Sequence, residues 1–170
     1  MPSIILKDVA MLNSNLKNAK ILIVDDHQLN IEMLTGYLQM QGFYDIQGTT
    51  NPLLAIGLYK SFEPDLILLD LMMPKLSGYD ILEQLKPMVP QDVYLPVLVL
   101  TADISPNAKQ RALASGARDF LIKPFDFIEV LLRIRNMLET RYLYQQLEKK
   151  NQILEEKVAM LIKIMSGWNK

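Results

Sequence analysis

Four short apolar runs in this chain end in groups that can do chemistry. I-L-I-V at residues 21–24 runs into Asp25 and Asp26, and L-I-L-L at 66–69 runs into Asp70. V-L-V-L at 97–100 ends in Thr101, and D-F-L-I at 119–122 ends in Lys123 and Pro124. Adjacent carboxylates repel, and each resists ionising beside the other. A hard divalent cation compensates such a cluster. An all-oxygen donor set suits Mg2+, which keeps several waters and often completes its shell with a phosphate oxygen. A carboxylate in such a site can attack phosphorus and become an aspartyl phosphate. Asp70 fits that role: it stands alone at the end of its run, and the loop M-M-P-K-L-S-G that follows is expected to leave it accessible. Lys123 would neutralise charge on the transferring phosphoryl group and Thr101 would donate a hydrogen bond to it. Catalysis of this kind is mostly positioning and electrostatics.

These groups are far apart in the chain, so a sheet must bring them together. The runs at 21–24, 66–69 and 97–100 read as strands buried on both faces. Tyr44–Gly48 reads as a weaker strand, and 119–122 as a short fifth one. Between them, Gln28–Met40 places Ile31, Leu34 and Leu38 at helical spacing, and Gly42 stops that helix. Asn51-Pro52 reads as cap and first turn of a helix to about Phe62, Ser77 as the cap of a helix to Lys86, and Ser105-Pro106 as the start of one ending near Gly116. From Asp126 the helical pattern meets no proline or glycine until Gly167. Strand and helix alternate five times, which predicts an α/β fold: a five-stranded parallel sheet, doubly wound, with helices on both faces. Ligands of such sheets sit outside the carboxyl ends of the strands, where Asp25, Asp26, Asp70, Thr101 and Lys123 are expected to converge.

Composition narrows the classes. The 170 residues are 50% apolar and 22% charged, with a formal net charge of −1. Bulk charge therefore predicts binding to neither nucleic acid nor membrane. There is no cysteine, which excludes disulfides, thiolate zinc sites and cysteine nucleophiles. No apolar run approaches the ~20 residues of a membrane span. The start, M-P-S-I-I-L-K-D-V-A, lacks the basic region of a signal peptide, and the chain reads as cytoplasmic. His27, the only histidine, reads as a partly exposed loop residue rather than a ligand, because magnesium prefers oxygen. Asn30 lies a helical turn beyond the acids, placed either to touch them or to face solvent.

The segments V-D-D-H-Q-L-N, L-L-D-L-M-M-P-K-L-S-G, V-L-V-L-T-A-D and G-A-R-D-F-L-I-K-P-F, in that order from about residue 20 to 138, resemble the receiver domain of a two-component response regulator. The resemblance implies a flavodoxin-like receiver fold with Asp70 as phosphoacceptor, a sensor histidine kinase as partner and Mg2+ as cofactor. It implies Asp26 as a direct metal ligand, Asp25 as a ligand through water, Asp70 itself as a ligand, and Met72 as the residue whose backbone carbonyl completes the shell. It implies Thr101 as the switch hydroxyl, Lys123 as the phosphate-binding lysine, and Phe120 as the switch aromatic, which would pack inward once Thr101 moves towards Asp70. No separate substrate is expected, only phosphorylation and dephosphorylation of the protein itself. Two enzyme classes on similar sheets fit less well. A dehalogenase-like site needs D-x-D after the first strand, where this chain has D-D. A flavin site needs a phosphate-cradling loop where this chain carries two acids.

The sequence thus divides into an irregular lead-in (1–18), a receiver (19–138) and a helical extension (139–170). In the extension, Leu147, Leu154 and Leu161 take heptad position d, and Asn151, Val158 and Met165 take position a. A β-branched residue and one asparagine at a, with leucine at d, favour a parallel two-stranded coil, hence a homodimer. Lys150 at g would face Glu155 at e of the partner subunit. The alternative is an amphipathic helix folded back on its own domain. A basic-zipper DNA reader is disfavoured, because the tail's lysines and arginines are dispersed. L-E-T-R-Y-L and Q-I-L-E-E-K-V resemble the signalling helices that join receivers to HD-GYP phosphodiesterase or diguanylate cyclase domains. That leaves two other expectations: a regulatory fragment of a cyclic-di-GMP enzyme, and a dimerisation adaptor independent of phosphorylation.

Overall fold

The computed structural model describes residues 16–167. Most of the expected lead-in therefore lies outside the described residues, but Leu16 and Ala19 already belong to the core. The elements follow in order: β1 (Ile21–Val24), α1 (Gln28–Met40), β2 (Ile46–Thr49), a 3-10 turn (Pro52–Leu54), α2 (Ala55–Phe62), β3 (Leu66–Leu69), α3 (Gly78–Leu85), β4 (Val97–Thr101), α4 (Pro106–Ala114), β5 (Asp119–Ile122) and α5 (Phe127–Gly167). All strand pairs are parallel, in the order β2-β1-β3-β4-β5. This is the doubly wound, flavodoxin-like order, whose direction of winding reverses between β1 and β3.

Every residue of β1, β3 and β4 is buried, because helices cover both sides of the sheet. Alternate residues serve opposite layers. Ile21, Ile23, Leu66, Leu68, Leu98 and Leu100 pack with Ile31, Leu34 and Leu38 of α1 and with Val130, Leu131 and Ile134 of α5. Leu22, Val24, Ile67, Leu69, Val97 and Val99 pack instead with residues of α2, α3 and α4.

Two local expectations shift. The second strand begins at Ile46, not Tyr44, because Ile46 pairs with Ile21 and Tyr44 stays exposed. Asn51 does cap, its side chain accepting from the Leu53 N–H, but what it opens is the 3-10 turn, and α geometry begins only at Ala55. Ser77 and Asp80 form a reciprocal capping box at the start of α3. The Ser77 hydrogen bonds hold the Asp80 carboxyl below the usual range.

Helix α5 continues for 41 residues, about 60 Å at ~1.5 Å per residue. Its grip on the domain reaches past residue 138. Arg141 donates to the Tyr94 carbonyl at 2.8 Å, and Gln145 donates to Asp65 at 3.3 Å. The Tyr144 ring stacks on Tyr94 with centroids 5.2 Å apart and planes 17° apart. Residues 147–166 are all exposed, so the tail does not fold back on the sheet. Among the described residues, no helix is long and apolar enough to cross a membrane.

Candidate functional site

The carboxyl ends of β1 and β3 lie at the reversal point, and their hydrogen bonding fixes what stands there. The Asp70 N–H donates to the Val24 carbonyl at 2.9 Å, which carries the β1–β3 ladder one residue beyond the strands. Asp25 and Asp70 are thereby neighbours, and Lys123, just after β5, reaches across to both. Its Nζ lies 2.7 Å from Asp25 Oδ2 and 2.9 Å from Asp70 Oδ2. Burial alone would lower the lysine's pKa, but the hydrogen bonds to Asp25 and Asp70 outweigh it and hold the ammonium above its ordinary value. Lys123 is therefore charged throughout the neutral range.

The other contacts order the acids. Asn30 Nδ2 donates to both Asp25 oxygens at 3.0 Å, and the His27 N–H donates to Asp25 Oδ1 at 2.9 Å. The Met72 N–H donates to Asp70 Oδ1 at 3.1 Å. Asp26 is different: its Oδ1 is buried and accepts no hydrogen bond. His27 Nδ1 lies 2.9 Å from it, a contact that becomes an ion pair only when the imidazole is protonated. Ligand atoms of Asp25, Asp26, His27 and Asp70 all lie within 4.8 Å of one another. One ammonium faces three carboxyl groups, a formal excess of two negative charges. An orphaned carboxylate oxygen, an oxygen-rich donor set and that charge suit a hard divalent cation.

Not every candidate joins this network. Thr101 ends β4 fully buried, its hydroxyl accepting from the Asp103 N–H at 3.3 Å and its carbonyl from the Lys123 N–H at 2.8 Å. Phe120 is buried, pairs with Val99 across the β4–β5 ladder, and belongs to the core layer that also holds Ala108 and Ala112 of α4. Met72 exposes its side chain and offers only its backbone to the site. The Lys123–Pro124 peptide is cis.

Asp70 is also less accessible than its loop suggested, at 5% exposure. Lys123, the Met72 N–H and the neighbouring backbone cover it. His27, exposed as expected, is nonetheless drawn to the acids. Gly78 was not singled out from the sequence, yet it is essential to this packing. A Cβ there would lie 2.2 Å from the Asp70 carbonyl oxygen and 2.8 Å from Leu71 Cα. The visible signal was a glycine directly after the Ser77 cap, where a helix has no other need of one.

Residues 21–135 match the family described as the response regulator receiver domain. The chain belongs to that family. Among curated relatives, this receiver is 35% identical over 143 residues to the DNA-binding dual master transcriptional regulator RpaA of Synechocystis, covering 84% of this chain and 58% of that protein. It is 36% identical to the response regulator SaeR of Staphylococcus aureus, covering 76% of this chain and 55% of SaeR. It is 31% identical to the response regulator PleD of Caulobacter vibrioides, covering 78% of this chain and 29% of PleD. The chain thus spans from under a third to just over half of the length of these relatives. Among solved structures, the receiver domain of a Francisella response regulator superposes with TM-score 0.65 at 29% identity, over 72% of this chain and 98% of that one. A two-component response regulator from Clostridium difficile gives TM-score 0.66 at 27% identity, over 72% and 97%.

Proposed function

We propose that this receiver is a phosphorylation-activated, cytoplasmic signalling switch. Asp70 accepts a phosphoryl group from a sensor histidine kinase, and the long α5 helix carries the result to a dimeric output. The observation that carries this reading is the Lys123 ammonium spanning Asp25 and Asp70 at the sheet's reversal point. That arrangement holds a carboxylate nucleophile beside a fixed positive charge. Asp70 attacks phosphorus, and the bond to the donor's leaving nitrogen breaks. Lys123 stays protonated and shifts its hydrogen bonds towards the phosphoryl oxygens, where charge develops. Thr101 supplies a hydroxyl at the neighbouring strand end and, with Phe120, forms the switch. Asp25, Asp26, Asp70 and the Met72 carbonyl would hold Mg2+. When bound, the ion supplies the positive charge that offsets the three carboxylates and the incoming phosphoryl group.

Support for a dimeric tail comes from the exposed heptad residues Leu147, Leu154, Val158, Leu161 and Met165. Because the chain spans only part of its relatives, a second reading stands beside the first: this is the regulatory portion of a longer protein, and the tail leads to an output module. The test of the shared core is incubation with acetyl phosphate and Mg2+, read by intact mass. The chain should gain one acid-labile phosphoryl group, and Asp70→Asn should gain none, since an amide is a poor nucleophile towards phosphorus. Undiminished labelling of Asp70→Asn would move the acceptor elsewhere, with Asp26 next.

A further inference from the structure

The heptad pattern of the tail can be carried back along α5 into the receiver, where it meets residues already in use. Stepping back by sevens from Asn151, position a falls on Tyr144, Met137 and Val130. Val130 and Met137 are buried in the receiver's own core. Position d falls on Leu147, then Thr140 and Arg133. Thr140 donates to the Asn136 carbonyl within the helix, and Arg133 is paired with Asp119 and Glu129. A two-stranded seam therefore cannot extend far onto the receiver, because its a positions are committed to the sheet.

Tyr144 lies at the boundary. Its side chain is half exposed, and its ring stacks on Tyr94, over which the Arg118 guanidinium sits 5.0 Å from the ring centre. A straight helix drifts ~20° per heptad from a seven-residue repeat, so at ~100° per residue the tail's a and d residues centre roughly 140° round the helix from the face packed on the sheet. A second copy can thus reach Leu147 without meeting this copy's own domain. Charge favours the same occupant: Lys150 at g lies opposite Glu155 of the partner subunit at e in a parallel pair.

The geometry points to a dimer interface with a second copy of this chain that starts at Leu147 and stops short of Tyr144, because Tyr94 holds Tyr144 against the receiver. This rests on the dimeric-tail reading above. Tyr94 and the second copy compete for one ring. While the stack holds, the coil is one a position shorter than its sequence permits, and the receivers stand apart at their end of the seam. If the stack opens, Tyr144 enters the seam and the coil grows towards the domains.

The competition predicts a sign opposite to ordinary damage. Tyr94→Ala removes a native contact yet should tighten the dimer about tenfold, since one aromatic stack per protomer no longer has to be broken. The Arg141 hydrogen bond survives, because it is made to the Tyr94 backbone carbonyl. Tyr94→Phe keeps the stack and should leave the Kd unchanged. Tyr144→Leu should also tighten the dimer, and it decides the matter if Tyr94→Ala fails to fold. Sedimentation equilibrium of the full chain reads all three. The chain has no cysteine, so single substitutions give a second readout by oxidative crosslinking. Leu154→Cys should crosslink in either background, whereas Thr140→Cys should crosslink well only together with Tyr94→Ala. A dimer whose Kd is unmoved or weakened by both Tyr94→Ala and Tyr144→Leu overturns the competition and leaves the coil intact. A full chain that remains monomeric well above micromolar concentration overturns the dimeric tail, and this inference with it.

Discussion

Lys123 faces carboxylates inside the receiver, whereas Lys150 would face one only in the proposed dimer, and the two stand in different media. The Lys123 side chain is 20% exposed and holds two carboxylates whose side chains are 4% and 6% exposed. Lys150 lies on a helix surface where every neighbour is exposed, and its proposed acidic partner belongs to another chain. Interactions between buried charges are large, and breaking one leaves an uncompensated ion. Between exposed charges, water and salt reduce the same pairing to at most about 1 kcal/mol. Charge at the strand ends therefore decides what the receiver can do, whereas charge on the tail would only adjust how well apolar residues of the proposed coil meet.

The largest effect should come from the buried lysine. Lys123→Met removes the ammonium that bridges Asp25 and Asp70, and phosphorylation by acetyl phosphate should slow about a hundredfold. Mg2+ should bind more tightly to the same variant, because the site gains a net negative charge. Weaker Mg2+ binding, followed by titration calorimetry, would mean that Lys123 positions the acids rather than neutralising them.

Next comes the wall behind Asp70. Gly78→Ala forces a methyl group against backbone atoms of Asp70 and Leu71 that have no side-chain freedom to yield. It should cost about 2–3 kcal/mol in urea unfolding. A cost under about 0.5 kcal/mol would show that the loop after β3 has slack, and that the burial of Asp70 is looser than the geometry implies.

How far the sequence foretold all this depends on the kind of signal. The strands β1, β3 and β4 were legible because a strand buried on both faces must be a continuous apolar run. The groups at their ends were legible because each run stops at a polar residue. The start of β2 was misplaced because an edge strand with exposed residues carries little periodicity. The 3-10 turn at Pro52 was hidden because Asn-Pro opens either kind of helix. The burial of Asp70 depends on Lys123 and Gly78, which are remote or silent in the sequence. The hold of α5 on Asp65 and Tyr94 is made by Arg141, Tyr144 and Gln145, polar and aromatic residues that periodicity treats as surface.

A smaller effect tests the orphaned carboxylate. Asp26→Asn relieves repulsion among three acids, so the metal-free receiver should gain about 1 kcal/mol, or roughly 2–4 °C in Tm for a chain of this size. The same variant should lose most of the stabilisation that Mg2+ gives, because a ligand that binds only the folded state stabilises by RT ln(1 + [L]/Kd), which vanishes once Kd exceeds the ion concentration. A variant that stays as responsive to Mg2+ as the parent would remove Asp26 from the metal site.

The smallest effect belongs to the exposed lysine and completes the contrast. Lys150→Glu places a carboxylate opposite Glu155 of the partner subunit, twice per dimer by symmetry. Each change exchanges an attractive surface pair for a repulsive one, at a few tenths of a kcal/mol per pair. Together they should weaken the dimer by about three- to tenfold. Exposed charges are screened over about 10 Å at 0.1 M salt and about 3 Å at 1 M, so raising the salt should return most of the lost affinity. Salt should not rescue Lys123→Met in the same way, because a diffuse ion atmosphere does not replace an ammonium fixed between Asp25 and Asp70. A Lys150→Glu dimer that is equally weak at low and high salt would mean that Lys150 packs its stem into the seam, and that the parallel register assigned here is wrong.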